Sequence, residues 1–117
     1  MSQENLGAKA FVAGEDLEAY RRVKLSAGSG TQMEYADAGE GFIGITAAKV
    51  SQGDFVTVNL KTRGRTFKVV ADGVIAVGGS LYGAADGKVS ATVSGSIQGT
   101  VLEAAAADLE VIEAVLA

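Results

Sequence analysis

The sequence predicts an all-β fold, a small β-barrel or flattened β-sandwich, and three observations carry that prediction. From Val69 to Leu116, turns centred on glycine recur at Asp72-Gly73, Gly78-Gly79, Asp86-Gly87, Ser94-Gly95 and Gly99. The intervals between them are too short for helices and long enough for strands. The chain holds 16 glycines and no proline, so its tight turns rely on residues that accept positive φ and not on a ring that presets the backbone. Its 48% hydrophobic content comes mostly from alanine and valine, with four phenylalanines, three tyrosines and no tryptophan. A core built from such small and β-branched side chains suits pleated sheets.

Taken in order, residues 1–15 read as an extended N-terminal arm. A polar lead runs into the apolar patch Lys9-Ala10-Phe11-Val12-Ala13 and then into the turn-prone Gly14-Glu15-Asp16. Two readings stand open for the patch: a first strand docked on its own domain, or an arm that adds a strand to another chain. Residues 16–117 read as a single β domain. Tyr20 to Leu25 forms a strand whose Tyr20, Arg22 and Lys24 side is basic and expected to face solvent. Thr31 to Ala36 and Phe42 to Thr46 follow as strands, separated by the glycine-containing turns 27–30 and 37–41.

The clearest alternation lies in Asp54 to Leu60, with Val56, Val58 and Leu60 on one face and Thr57 and Asn59 on the other. Phe67, Val69 and Ala71 continue it after Arg63-Gly64-Arg65. The two runs predict a hairpin at the centre of the core, with Val56, Val58, Leu60, Phe67 and Val69 as its main contributors. The last segment carries two signals. Leu102, Ala105, Ala106, Leu109, Ile112 and Leu116 share one face at helical spacing, which leaves room for a short helix, whereas the strands upstream favour another strand.

Composition excludes several function classes. With no histidine and no cysteine, the chain lacks the commonest general base, the commonest metal ligand, disulfides and thiolate metal sites. Gly39-Glu40-Gly41-Phe42-Ile43-Gly44 matches the dinucleotide pattern GxGxxG, but the turn at Gly53 cuts the sequence before a crossover helix could form. The carboxylate pairs Glu15 with Asp16 and Asp37 with Glu40 sit among turn glycines, where solvation explains them. The expectation is a protein that is not an enzyme and uses no cofactor or metal. A net charge of −4 argues against non-specific nucleic-acid binding. No apolar run approaches the ~20 residues that cross a bilayer, and Met1 to Asn5 lacks the features of a secretory signal. A soluble product of the cytoplasm, bound to no membrane, is expected.

Charge is unevenly placed. Lys61, Arg63, Arg65 and Lys68 crowd one segment, whereas after Lys88 there is no base and the acids Glu103, Asp108, Glu110 and Glu113 follow. These are either two solvated faces or complementary patches that meet between copies. The candidate partner contacts are Leu6, Phe11 and Val12 in the arm, and Lys61, Arg63 and Arg65 in the basic segment.

Several phrases in fixed order resemble the capsid decoration proteins of tailed bacteriophages, also called head or capsid cement proteins. They are Asp16-Leu17-Glu18-Ala19-Tyr20 leading to Val23-Lys24-Leu25, then Phe42-Ile43-Gly44-Ile45 and Gly53-Asp54-Phe55-Val56-Thr57-Val58. After them come Val74-Ile75-Ala76-Val77-Gly78 with Leu81-Tyr82, Gly87-Lys88-Val89-Ser90, Gly99-Thr100-Val101-Leu102-Glu103-Ala104-Ala105 and Val111-Ile112-Glu113. The resemblance implies a β-rich homotrimer on the outer surface of an icosahedral virion, made in the bacterial host cytoplasm. It would bind the major capsid protein where subunits meet and hold the shell together, without catalytic residues. One departure stands out: Asp108-Leu109-Glu110 occupies the final turn, where the family usually has glycine. An alternative from another class is a small-ligand or carbohydrate-binding β-barrel on a virion surface, against which the low aromatic content counts.

Overall fold

The computed structural model describes residues 8–61 and 66–116. In it the alternation of Phe55–Leu60 does what period two demands: Val56 and Val58 are fully buried while Phe55 and Thr57 face out. This strand, β5, belongs to a closed barrel with β1 (Ala8–Ala13), β2 (Arg22–Leu25), β3 (Gln32–Tyr35) and β4 (Gly44–Thr46), in the spatial order β1-β3-β2-β4-β5. Closure leaves no free edge among these strands. Phe11, Leu17, Val23, Met33, Val56 and Val58 fill the barrel.

A second, five-stranded sheet follows, built from β6 (Thr66–Val70), β7 (Ser80–Gly83), β8 (Val89–Ser90), β9 (Gly99–Val101) and β10 (Val111–Leu116). Its order is β6-β10-β9-β7-β8, and a bridge between Ala71 and Val89 brings its two margins together, so the sheet curls. Phe67, Val69, Ile75, Leu81, Val101 and Ile112 form its core, joined by Ile45 and Phe42 from the barrel side. The β2–β4 side of the barrel is therefore covered by the second sheet.

This arrangement corrects two expectations and decides two that the sequence left open. First, Asp54–Leu60 and Thr66–Ala71 are not a hairpin: β5 pairs with β1 and β4, whereas β6 pairs with β10. Each run alternates because each has one buried face, and alternation names no partner. The predicted core residues Val56, Val58, Phe67 and Val69 are buried and Leu60 half-buried, but they are divided between two cores. Second, residues 8–13 of the expected arm are a barrel strand, hydrogen-bonded in register to β5 and lying parallel to β3. Third, Arg22 does not face solvent; it is fully buried beneath the second sheet. Fourth, residues 111–116 are strand, with Ile112 and Ala114 inward and Val111, Glu113 and Val115 outward. The helical reading had grouped Leu102 and Leu109 with the core, and both are exposed. Leu109 makes the turn into β10 at φ 67°, the left-handed conformation that glycine usually supplies.

Candidate partner-binding surfaces

The site residues sit on a body made rigid by one side chain. Arg22, from β2, reaches out of the barrel wall and donates hydrogen bonds to backbone carbonyls of both lobes. Nη2 donates to Ala36 O at 2.7 Å and to Ala84 O at 2.8 Å, and Nε to Lys88 O at 3.0 Å. Nη1 donates to Gln98 Oε1 at 3.0 Å, and Gln98 Nε2 in turn donates to Glu40 O at 2.7 Å. The planar fork of donors suits such a divergent set of acceptors better than an ammonium would. Burial pushes the guanidinium pKa down to about 10, against the attraction of Asp37 and Glu40, so the group stays charged at neutral pH. Two glycines make room for it. A Cβ at Gly83 would come within 2.9 Å of the guanidinium, and one at Gly87, which lies at φ 73°, within 2.5 Å of Arg22 O.

The loop after β3 is tied to the same hub. Glu40 accepts from Lys24 Nζ at 2.6 Å and from the Asp37 N–H at 2.8 Å, which holds its carboxyl below the usual carboxylate range; the same bond raises the Lys24 pKa. Asp37 Oδ1 accepts from the Asp86 N–H at 3.0 Å. Loops 37–40 and 84–88 are thus both tied to the barrel wall.

On this body the sequence-predicted contacts are placed as follows. Phe11 lies opposite Val56 inside the barrel and is 5% exposed, so it is corrected from partner contact to core residue. Val12 is half-buried and lies opposite Phe55 on the outer face. Lys61 has its ammonium 4.7 Å from the Phe42 ring centroid, a cation–π contact within its own chain. Leu6, Arg63 and Arg65 lie outside the described residues.

Sequence reasoning missed Phe55, which is 76% exposed. The signal was present, since Phe55 falls in phase with the outward Thr57 and Asn59. With Val12, Ala10 and Thr57 it makes an outward strip on β1 and β5, where small residues flank a single aromatic. A second apolar region lies at one end of the curled sheet. Segments 71–79 and 101–109 run side by side, tied by the Ile75–Ala105 bridge, by the Gly78 N–H to Val101 O bond and by the Leu109 N–H to Ala71 O bond. They expose Val74, Val77, Leu102 and Leu109. Exposed aliphatic regions of this kind suit contact with another macromolecule. Among the described residues, no group of three or more acidic side chains is placed to hold a metal ion.

No family model and no curated protein matches the chain in sequence. Among solved structures, the chain is similar to the crystal structure of the head fiber gp8.5 N base in bacteriophage phi29. The TM-score is 0.78 at 22% identity, and the match covers 94% of this chain and 92% of that one. Agreement over nearly all of both chains at so low an identity shows that the two share a fold.

Proposed function

We propose that this chain is a structural protein of a bacteriophage head, a capsid decoration protein that binds the outside of the icosahedral shell where major capsid protein subunits meet and stabilises it. The observation that carries the reading is the likeness, over nearly the whole chain, to a base that belongs to a phage head fiber. The ordered phrases that resemble those of decoration proteins fit this reading, and so does a barrel-and-sheet body with exposed aliphatic regions. A homotrimer fits the role, because three modest contacts linked in one particle raise avidity by roughly 10²-fold or more. The protein would then be made in the host cytoplasm and end on the virion surface.

The test is co-sedimentation of the purified protein with empty expanded shells of its phage, with analytical ultracentrifugation of the protein alone. Saturable binding at a fixed number of copies per shell is expected, together with a trimer in solution. Phe55→Ser should leave folding within about 0.5 kcal/mol of wild type, as for an exposed position, and weaken shell binding at least tenfold. Absence of shell binding by the wild-type protein refutes the proposal, and undiminished binding by F55S removes Phe55 from the interface.

A further inference from the structure

A pocket of about 280 Å³ opens at the seam between barrel and sheet. Tyr20 and Asn59 line it from the barrel, and Thr66, Phe67, Lys68 and Glu113 from the sheet. Junctions between packed units are where small-molecule sites concentrate. The backbone here is strained: Tyr20 sits at φ 61°, held by its N–H to Thr46 O at 2.9 Å and by the Val70 N–H to its own carbonyl at 3.2 Å. A bulky residue fixed in the left-handed region costs on the order of 1–3 kcal/mol and tends to occur where geometry serves a site.

The lining has a distinct chemistry. Lys68 and Glu113 face each other across β6 and β10, so the two formal charges of the lining cancel. Glu113 Oε2 accepts from Thr66 Oγ1 at 3.3 Å. An amide both donates and accepts, a carboxylate accepts, an ammonium donates, and a hydroxyl does both. Tyr20, half-buried, is the aromatic side chain that reaches the lining, while Phe67 and Ile45, 3% and 2% exposed, close its floor from the core. We propose that this pocket binds one ring of a neutral sugar, whose hydroxyls each donate and accept and whose C–H face is apolar. Charge balance disfavours a phosphate or a free cation, and the volume of about 280 Å³ falls just below the usual range for small-ligand sites, room for a single ring. So small a contact sets the affinity at roughly millimolar. This inference is independent of the shell-binding role, and either can fail alone.

The test is a two-dimensional amide NMR titration of the full chain with glucose, galactose and N-acetylglucosamine, each to about 50 mM, well above a roughly millimolar Kd. Saturable shifts at Asn59, Thr66, Lys68 and Glu113 with at least one sugar are expected. Asn59→Ala and Glu113→Ala should each weaken them at least fivefold with the remaining spectrum unchanged; if E113A does not fold, N59A decides. Glucose 6-phosphate serves as the anionic probe and should bind no better than glucose. No saturable shift with any neutral sugar, shifts centred elsewhere, binding unaffected by the variants, or preference for the phosphate overturns the proposal.

Discussion

Replacing Arg22 with methionine isolates the hub. Methionine approximates the length of the side chain and none of its donors, so the bonds to Ala36 O, Ala84 O and Lys88 O, now at 2.7, 2.8 and 3.0 Å, are lost, although Ala36 O keeps the Gly87 N–H and Lys88 O the Ala84 N–H. Gln98 can still turn its amide toward Glu40 O, to which it already donates. Three hydrogen bonds from a charged donor at about 1.5–3 kcal/mol each give a gross loss of roughly 5–9 kcal/mol. Removing the buried cation itself returns part of its desolvation cost, so a net loss of about 3–5 kcal/mol is expected. For a chain of 117 residues that corresponds to a fall in Tm of roughly 12–20 °C. The assay is urea and thermal unfolding followed by far-ultraviolet circular dichroism. The urea midpoint should drop without a change in slope, since the surface exposed on unfolding is unaltered. Arg22→Lys should keep little of the loss at bay, because three donors on one nitrogen cannot span both loops. A loss below about 1 kcal/mol for Arg22→Met would refute the reasoning, as it would mean that burying the cation cancels everything its hydrogen bonds contribute.

Two further outcomes follow from local geometry. Glu40 has a folded-state pKa below its unfolded value, so the stability it contributes is present above about pH 4.3 and is lost as pH falls through the lower folded pKa. Glu40→Gln should flatten the acid limb of a stability–pH curve, and Lys24→Ala should raise the Glu40 pKa read by carboxyl NMR; an unmoved pKa would show that Lys24 is not its main partner. At Leu109, which is 58% exposed at φ 67°, glycine relieves about 1–2 kcal/mol of left-handed strain against a backbone-entropy cost of about 0.5–1 kcal/mol. L109G should therefore be neutral to slightly stabilising by thermal melt, and a clear loss would show that the leucine side chain is holding the turn.

How much of this was legible in the sequence depended on what each residue's pattern reports. Val56, Val58, Phe67 and Val69 were readable as core because burial of one sheet face writes itself into period two. Their division between two cores was not, because pairing depends on strands distant in sequence, such as β1 for β5 and β10 for β6. Arg22 was misplaced because a lone arginine on an alternating strand defaults to solvent. Only the covering of the β2–β4 side by a second sheet turns both faces of that strand inward, leaving Val23 and Arg22 equally buried. Phe55 was legible and overlooked, its phase matching Thr57. Ahead of β10, the alanine run 104–107 suits a helix by propensity and hid the strand that follows, where tertiary context decided.

The order of the second sheet sets a schedule for how the molecule is made. All five barrel strands are translated before residue 61, whereas β10, last of the described strands in chain order, must be inserted between β6 and β9 before that sheet can close. During synthesis the barrel is thus the expected first folding unit, and the later half waits, partly paired, for residues 111–116. Arg22 is already in place by then, with Ala84, Lys88 and Gln98 still to arrive. The arginine works as a latch set early and engaged late, and its engagement marks the moment at which two sequentially folded halves become one body.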